Sequence, residues 1–445
     1  MKERINLIII IFALWAFLYV FQKYFTSTLA IVFLVVVMFL YGVYMQIAYK
    51  HRKRKLKKHP IELNYQYKPF VSILIPAHNE ESVIEKTVDN LVKLDYPNFE
   101  IIVIDDRSSD KTAQKIQQLE QKYENVKALI RSFDAFPGKS AVLNEAMTIA
   151  KGEAILVFDA DARVDNDFIK NLVPYLEPED VGAVQARKVI INKDYNYLTR
   201  CQNNEYAMDC FVQVGRDSVK GAVELRGNGE LIKRKALEDI NGWNNYTITD
   251  DLDMSTRLQI QGWDIRFIPD VCVYEEGITK ILPLLKQRRR WVEGSIRRYL
   301  EHCSEVLVSE KMSLRTGFDM LFYFSEFILP FWVISELIIQ AMCYVKGKDS
   351  NILSSLVVTA GIMIAMGGST WYGIVKYNKQ KWITALKQAL ETGVYMVVLW
   401  FPVVTFIIMK IIFCKKNMDW GKTQHGNPIS KSVEKSEEKE PITVN

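Results

Sequence analysis

The sequence is poor in the residues that build disulfide frameworks and metal–thiolate sites. Only six cysteines and five histidines occur in 445 residues. The cysteines are scattered, none of them forms a CxxC pair, and the histidines form no HExxH. These absences argue against a disulfide scaffold and against a zinc site. Reduced, cytosolic chemistry is the simpler inference.

Two glycine-rich nucleotide loops are missing as well. The chain has no GxxxxGK[ST], which argues against a P-loop NTPase, and no GxGxxG after its first predicted strand, which argues against a dinucleotide oxidoreductase. With 57 Lys and Arg against 52 Asp and Glu, the formal net charge is only +5. This balance gives no bulk nucleic-acid signature, so no nucleic-acid partner is expected.

Long apolar segments are present near the N-terminus. Leu7–Phe21 and Leu29–Ala48 predict a transmembrane hairpin over residues 1–50. A cleaved signal peptide is the alternative for the first segment, although no small-residue cleavage site follows it. The basic run His51–His59, in a juxtamembrane linker over residues 51–68, predicts that the chain beyond it is cytoplasmic. This run is a stop-transfer flank, a surface attracted by anionic lipid headgroups, or both.

Three more apolar blocks predict transmembrane or interfacial helices over residues 313–414; the blocks are Phe318–Val345, Ile352–Tyr372 and Val394–Phe413. The first contains Asp319, Glu326, Pro330 and Glu336, which are costly against lipid, so part of it is expected at the interface or against other helices. One block is expected to be interfacial or re-entrant. That would leave the polar tail, 415–445, inside the cell, with a disordered end.

Short apolar runs alternate with amphipathic stretches over residues 69–283. The strand-like runs are "FVSILIPA", "FEIIVIDD", "VKALIRS" and "EAILVFDAD", and helix-like stretches separate them. This alternation predicts an α/β, Rossmann-like domain with a mostly parallel sheet. Ligands bind beyond the carboxyl ends of such strands. Two strand ends carry acids, Asp105/Asp106 and Asp159/Asp161, whereas Asp110 is expected to cap a helix.

The segment "FDAD", Phe158 to Asp161, ends a predicted strand with carboxylates at positions i and i+2. Once the chain leaves the strand, both can turn toward one ion. Ligands that are all oxygen suit Mg²⁺ or Mn²⁺, which also bind the phosphates of a substrate. A bare DxD occurs by chance in many proteins, and its place after a buried strand favours metal binding by Asp159 and Asp161.

A second acidic cluster, "TDDLD", runs from Thr249 to Asp253. Like charges this dense repel one another on a solvated helix. The acids therefore belong to a site, or Thr249 or Asp250 caps the helix that follows, and the two interpretations are compatible. A carboxylate here is suited to act as a general base on an acceptor hydroxyl.

The stretch "LLKQRRRWVEGSIRRYL" predicts a basic helix within an interfacial region over residues 284–312. One interpretation is an amphipathic helix that lies on the membrane. The other assigns Gln287, Arg290 and Trp291 to a site: Arg290 would neutralise a diphosphate through its guanidinium fork, and Trp291 would offer a flat apolar face to a sugar ring. The helix can do both.

These segments occur in the order of the membrane-bound family 2 glycosyltransferases, which have the GT-A fold, and the resemblance covers nearly the whole chain; the matching segments are "PAHNE", "VIDDRSSDKT", "GKSAVLNEA", "FDADA", "TDDLD" and "QRRRW". Within that family "VGAVQARKVI", "ELRGNGELIKRKAL" and "WGKTQHG" resemble the monoglucosyldiacylglycerol synthases more than the polysaccharide synthases. The latter usually have Thr-Glu-Asp where this chain has Thr249-Asp250-Asp251. The "GGK" of many relatives is "PGK" here, ending at Lys139.

The resemblance implies a role for each matching residue. Asp251 is implied to be the general base, supported by Asp250 and Asp253, and Arg226–Leu231 is implied to line the acceptor side. The remaining implied residues are Pro76, Asn79, Glu80 and Asp106 around the uridine, Lys139 near the nucleotide, Asp159 and Asp161 for metal and diphosphate, and Gln287, Arg290 and Trp291 over the acceptor and leaving group.

The resemblance implies an inverting hexosyltransferase that moves glucose from UDP-glucose to diacylglycerol, with Mg²⁺ or Mn²⁺. Its partners would be the bilayer, a nucleotide sugar and the lipid acceptor, in a bacterial cell membrane or a thylakoid-type membrane. The alternative in the same family is a processive polysaccharide synthase. A third possibility is an inactive membrane scaffold that binds lipid through its basic helix, which the intact acidic motifs argue against.

Overall fold

The structure is a computed structural model, and it describes residues 27–58, 63–347 and 352–414, together with Leu7, Ile9, Phe12 and Ala16. Apart from those four positions, the predicted span Leu7–Phe21 lies outside the described residues. The segment "WGKTQHG" and the polar tail lie outside them as well.

Eight strands form one sheet; they are β1 (Val71–Ala77), β2 (Phe99–Asp105), β3 (Val126–Ile130), β4 (Ala154–Val157), β5 (Arg163–Val164), β6 (Val181–Ile190), β7 (Glu230–Lys233) and β8 (Asp264–Glu275). Their spatial order is β3-β2-β1-β4-β7-β6-β8-β5. Neighbouring strands are parallel except where β7 pairs with β4 and β6, and where β5 pairs with β8. The predicted α/β fold with a mostly parallel sheet is confirmed.

Twelve α-helices are described; they are α1 (Ser27–Lys58), α2 (Ile84–Leu91), α3 (Thr112–Lys122), α4 (Lys139–Ala146), α5 (Phe168–Leu172), α6 (Tyr197–Ser218), α7 (Arg234–Asp239), α8 (Asp250–Ile260), α9 (Ile281–Val308), α10 (Leu314–Val345), α11 (Ile352–Tyr377) and α12 (Trp382–Phe413). The helix predicted after β1 illustrates why these segments fold as they do. In α2 the buried positions are Ile84, Thr87, Val88 and Leu91, the spacing of one helical face.

Apolar side chains cover both faces of the sheet. In β1, Ile73 and Ile75 pack in one buried cluster and Leu74 in another, because successive side chains of a strand point to opposite faces. All seven residues of β1 are buried. Its polar Ser72 donates a hydrogen bond of 2.7 Å to the Glu100 carboxylate on β2, so burial leaves this hydroxyl satisfied.

The direction of β7 brings an extra loop to the edge where the parallel strands end. Because β7 runs antiparallel to β4 and β6, it begins where they finish. The loop over residues 226–229 therefore joins that edge together with Glu230, the first residue of β7. The alternating sequence pattern alone does not predict that β7 runs in this opposite direction.

The helices after the sheet include two among the described residues, α10 and α12, that are long and apolar enough to cross a membrane. Helix α6 links α11 and α12 to the sheet, since it packs against both of them and against α1, β6 and β8. Asp319 of α10 is buried and accepts hydrogen bonds of 2.7 Å from the Arg216 side chain and from the Ala222 backbone. This acid therefore faces protein, where its charge is paired.

Candidate active site

A cavity of about 950 Å³ opens at the carboxyl edge of the sheet and extends between the apolar helices. Most of the residues predicted from the sequence line it: Pro76, Glu80, Lys139, Asp159, Asp161, Asp250, Asp251, Gln287, Arg290 and Trp291. More than two hundred residues of chain separate the first two of these from the last three. The parallel strands and α9 bring them to one place.

Asn79 and Asp106 differ, because their side chains do not line this cavity. The Asn79 side-chain oxygen accepts hydrogen bonds from the backbone N–H groups of Ser109 at 2.7 Å and Asp110 at 3.3 Å. Asp106 is fully buried and accepts hydrogen bonds from Arg131 at 2.7 Å and Arg107 at 2.9 Å. Both side chains hold the loop after β2 beside the cavity.

Asp110 lies at the start of α3, as expected for a capping residue. Its side chain accepts a hydrogen bond of 3.0 Å from the backbone N–H of Thr112, the first residue of the helix. A carboxylate there satisfies an otherwise unpaired donor of the first turn.

The acid pair after β4 lies beside a largely buried lysine, Lys139. Lys139 Nζ donates to Asp159 Oδ1 at 2.8 Å and to the Gly227 carbonyl at 3.0 Å, and lies 3.8 Å from Asp250 Oδ2. Burial alone would lower the pKa of Lys139, but the Asp159, Asp250 and Glu230 carboxyls raise it above its usual value. Lys139 therefore stays cationic and joins the two acidic clusters.

Asp250 and Asp251 begin α8, whose backbone N–H groups favour acids in the first turn. Thr249 occupies the capping position, yet its side chain makes no capping hydrogen bond and its hydroxyl is buried without a partner among the described residues. Gly294 of α9 lies so close that a Cβ atom there would clash with Thr249. Side-chain capping by Thr249 is therefore not realised.

Asp251 has the environment of a general base. Burial, reinforced by the Asp250 carboxylate, raises the pKa of Asp251 to about 6, while Lys139 and a hydrogen bond from the Leu252 N–H limit the rise. That hydrogen bond measures 2.9 Å. Gly227, at φ +75°, lies against the Asp251 carboxylate, where a Cβ would come within 3.1 Å of Oδ2. A carboxylate with a pKa near the working pH is suited to accept a proton.

Asp253 does not support Asp251 in the cavity, contrary to the expectation from the sequence. Its carboxylate accepts hydrogen bonds from His302 at 2.9 Å and Arg257 at 2.6 Å, and it does not line the cavity. Two residues along a helix correspond to a turn of about 200°, so Asp251 and Asp253 point to opposite sides. Asp253 instead fastens α8 to α9.

We expect His302→Gln to lower thermal stability by about 1 kcal/mol at pH 6 and by less at pH 8.5. Burial alone would lower the pKa of His302, but hydrogen bonds and charges from Asp253 and Glu305 raise it above 6.5. Stability from a raised histidine pKa is complete below the unfolded value and is lost as the pH rises through the folded value.

Thermal unfolding of the detergent-solubilised protein between pH 5.5 and pH 9 measures this difference. His51→Gln, at an exposed histidine of α1, is the matched control and is expected to show no such pH dependence. A destabilisation by His302→Gln that stays constant across the range would contradict the charge-based explanation.

The basic residues of α9 point in different directions. Gln287, Arg290 and Trp291 line the cavity, and Nε of Arg290 is buried with no hydrogen-bond partner within the described part of the chain. Arg288 turns to Glu205, at 2.7 Å, and stacks over Trp291 with 4.1 Å from the guanidinium carbon to the ring centre. Arg290 thus lines the cavity and has a buried donor that is not paired within the described residues.

Glu230 is a buried carboxyl group next to these acids. Its side chain is fully buried, and neither carboxyl oxygen has a hydrogen-bond partner among the described residues. Burial raises its pKa well above the usual range, and Asp250 and Asp251 raise it further against the opposing effect of Lys139. Burial thus favours the uncharged form of Glu230, which limits the negative charge of this crowded site.

The family model for "Glycosyltransferase like family 2" matches residues 69–294, just over half of the chain. The chain belongs to the family 2 glycosyltransferases. This match spans both acidic motifs and reaches past Trp291, so every lining residue predicted from the sequence lies within it.

Two relatives of this glycosyltransferase are named beta-monoglucosyldiacylglycerol synthase. The one from Trichormus variabilis is 39% identical over 363 residues, which are 80% of this chain and 76% of the relative. The one from Synechocystis is 34% identical over 379 residues, which are 82% of this chain and 77% of the relative. This glycosyltransferase is a hexosyltransferase, and its resemblance to that group of synthases is confirmed.

A solved structure, the mannosyltransferase PcManGT from Pyrobaculum calidifontis in complex with GDP-Man and Mn²⁺, is similar in fold. It is 20% identical, has a TM-score of 0.54, and matches over 83% of this chain and 98% of that protein. At this identity the likeness shows the fold alone, and it confirms the predicted GT-A fold of the glycosyltransferase.

Several residues of the glycosyltransferase cavity were not predicted from the sequence. Glu205 and Asp209 of α6 line it, together with Gln46 and Lys50 of α1. Lys188 of β6 also lines it. Acids in the middle of a long helix were an available signal, but only the packing of α6 and α1 shows that these residues line the same cavity as Asp251.

Proposed function

We propose that this glycosyltransferase is an inverting enzyme that moves glucose from UDP-glucose to diacylglycerol and makes β-monoglucosyldiacylglycerol at the cytoplasmic leaflet. The observation that carries the proposal is the single cavity, which is acidic at the sheet edge and apolar between the helices. Phe39 and Val43 of α1, Trp371 and Tyr372 of α11, and Trp400 of α12 line its apolar part. A lipid with a hydroxyl headgroup needs both parts.

In this proposal Asp159 and Asp161 hold Mg²⁺ or Mn²⁺ and, with it, the diphosphate, while Lys139 contacts the nucleotide. Pro76 and Glu80 contact the uridine, and Asn79 and Asp106 hold the loop after β2 beside it. Among the described residues no group of three or more His, Cys, Asp or Glu is arranged to hold a metal. Two carboxylates fit an ion that takes its other ligands from substrate phosphates and water. Such an ion would supply positive charge for the departing diphosphate.

Asp251 acts as the general base and takes the proton of the acceptor hydroxyl as the oxygen attacks the sugar carbon opposite the nucleotide. Asp250 raises the pKa of Asp251 toward the working pH. The Arg290 guanidinium contacts the leaving diphosphate, and Trp291 and Gln287 close over the acceptor. The charge that develops on the leaving group is thereby met by a donor already in place.

We propose that the enzyme is integral to a bacterial cell membrane or a thylakoid-type membrane. In this arrangement the chain has five consecutive segments. They are a hairpin over 1–50, the linker 51–68, the catalytic domain 69–283, the region 284–312 and the helices of 313–414. The basic end of α1, Lys50 to Lys58, supports a cytoplasmic catalytic domain.

Metal binding is expected to depend on the nucleotide. Lys139 already occupies one oxygen of Asp159, so two carboxylates alone should bind Mn²⁺ weakly. We expect saturating UDP to tighten the Mn²⁺ dissociation constant at least about tenfold, since the diphosphate adds ligands. Titration calorimetry with and without UDP measures this, with uridine, which lacks phosphates, as the control. Equal Mn²⁺ affinity in all three conditions would contradict the two-carboxylate site.

The proposed function is tested by a membrane-fraction assay with radiolabelled UDP-glucose, Mg²⁺ and added diacylglycerol. Label in one monoglycosyl lipid that depends on diacylglycerol, and that is absent from Asp251→Asn membranes, is the expected result. Label only in high-mass, lipase-resistant material would instead support a processive polysaccharide synthase. Absence of label from both fractions would reject UDP-glucose as donor.

A further inference from the structure

The cavity contains basic side chains that are neutralised by neighbouring carboxylates. Arg226 lies in the loop before β7 and makes two hydrogen bonds to Asp209 of α6, of 2.5 Å and 3.1 Å, and a third of 2.8 Å to Glu224. Lys188 of β6 lies 2.9 Å from Glu275 of β8. These five residues all line the cavity.

This paired region lies next to the proposed base. Gly227, the residue after Arg226, lies against the Asp251 carboxylate, and Arg226 is among the charges that lower the pKa of Asp251. Burial alone would lower the pKa of Lys188, but Glu275, Asp159 and Asp251 raise it. A headgroup whose hydroxyl reaches Asp251 must therefore lie beside Arg226 and Lys188.

The carboxylate that Arg226 shares is firmly ionised. Burial alone would raise the pKa of Glu224, but Arg298, Arg216 and Arg226 together lower it strongly. Arg298 donates to the other Glu224 oxygen at 2.8 Å. Arg226 thus lies between two carboxylates, Asp209 and Glu224. Its positive charge is balanced by them, so it attracts an anionic ligand only weakly.

Charge pairing of this kind discriminates between acceptor lipids. A phosphate that enters the region must separate the half-buried Arg226 guanidinium from Asp209 and leave that carboxylate unpaired, which costs free energy where solvent is partly excluded. An uncharged hydroxyl headgroup needs only hydrogen bonds. Building an unfavourable charge against the wrong ligand is a general route to specificity.

We propose that Asp209 and Glu275 are specificity-determining residues: by neutralising Arg226 and Lys188, they make the acceptor site select uncharged hydroxyl lipids against phosphorylated lipids. The proposal deepens the proposed function and rests on it for the acceptor's class. The proposal leaves the diphosphate end of the cavity, which Arg290 lines, as the part that binds an anion.

The test compares two probes with the same twelve-carbon chain, dodecanol and its phosphate ester dodecyl phosphate, on the full-length protein in neutral detergent. Binding of each probe is measured directly by titration calorimetry. Inhibition is measured as the decrease that each probe causes in the rate of diacylglycerol glucosylation. For the unmodified protein we expect dodecyl phosphate to bind no more tightly than dodecanol. For Asp209→Asn we expect dodecyl phosphate to bind at least about tenfold more tightly than to the unmodified protein, with dodecanol unchanged within a factor of about three.

Two variants serve as matched controls. Asp209→Glu keeps the charge and should retain the original preference. Asp217→Asn removes a carboxylate of the same helix that binds Arg266 and Arg52 at 2.6 Å but does not line the cavity, so its probe affinities should not change. Glu275→Gln frees Lys188 and provides an independent test if Asp209→Asn does not fold.

The proposal is overturned if neither Asp209→Asn nor Glu275→Gln gains affinity for dodecyl phosphate, or if the unmodified protein already prefers it. Because binding is measured without turnover, this outcome is separate from failure of the proposed function. A protein that shows the charge preference but does not glucosylate diacylglycerol would reject the diacylglycerol assignment and retain the neutral acceptor site.

Discussion

Asp251→Asn is expected to lower the turnover number for lipid glucosylation by a factor of about 10²–10⁴. The asparagine has nearly the same shape but cannot take the acceptor proton. The affinity for UDP should change little, because Asp251 serves the attacking oxygen rather than the diphosphate. Initial rates with the purified enzyme in mixed micelles, together with UDP binding by calorimetry, measure both quantities.

The matched control is Asp264→Asn. Burial raises the pKa of Asp264 to about 6, as it does for Asp251, but Asp264 does not line the cavity. Loss of this carboxylate should leave turnover within a factor of about three. If Asp251→Asn keeps near-normal turnover, the assignment of the base is wrong.

The pH dependence of kcat/KM follows from the same carboxyl group. Asp251 must be ionised to act as a base, so activity should rise through pH 6 and level off above it. Asp250→Asn removes a charge that raises this pKa and should move the rise to lower pH.

Stability should show the opposite pH dependence. When folding raises the pKa of a carboxyl group, the stabilisation is complete at a pH below the pKa of that group in the unfolded chain. This stabilisation is lost as the pH rises through the folded pKa, here about 6. At pH 8 Asp251→Asn should therefore be at least as stable as the unmodified protein, and loss of activity could not be explained by unfolding.

The second large effect is expected at the metal. Asp159→Asn and Asp161→Asn should each lower turnover by about 10³-fold, equivalent to about 4 kcal/mol of transition-state stabilisation. Each should also abolish the tightening of Mn²⁺ binding by UDP. Turnover at increasing Mn²⁺ concentration separates weak metal binding, which high Mn²⁺ rescues, from the loss of a group needed for the reaction itself.

Asp165→Asn is the control for this pair. Asp165 is an exposed carboxylate four residues after Asp161 and contacts Tyr274 at 3.3 Å, outside the cavity. Its loss should leave both turnover and Mn²⁺ affinity unchanged. Full activity of either DxD variant without added metal would contradict a role for the acids in metal binding.

The local pattern of the chain was sufficient to predict most of the sheet. In β1 and β4 a short apolar run that ends in polar residues specifies both the strand and the end at which a ligand binds, because parallel strands share a carboxyl edge. Asp159 and Asp161 could therefore be placed at a site from their position after β4. The pattern could not predict the reversed direction of β7, since strand pairing depends on contacts between distant segments.

The direction of individual side chains was harder to predict. Asp251 and Asp253 are two residues apart in one acidic motif, yet one lines the cavity and the other binds His302 of α9. Asn79 and Asp106 occupy motif positions but hold a loop through Ser109 and Arg131. Motif spacing specifies which residues are near one another, and packing decides which way each of them turns.

The sequence by itself determined the family, the α/β class and the identity of the acids and the arginine–tryptophan motif, because these depend on local residue patterns and their order. The tertiary structure alone decided that α6 and α1 complete the cavity, that Asp209 and Glu275 neutralise its basic residues, and that Glu230 lies beneath its acids. Burial and charge pairing are properties of packing between distant segments, and a linear pattern does not contain them.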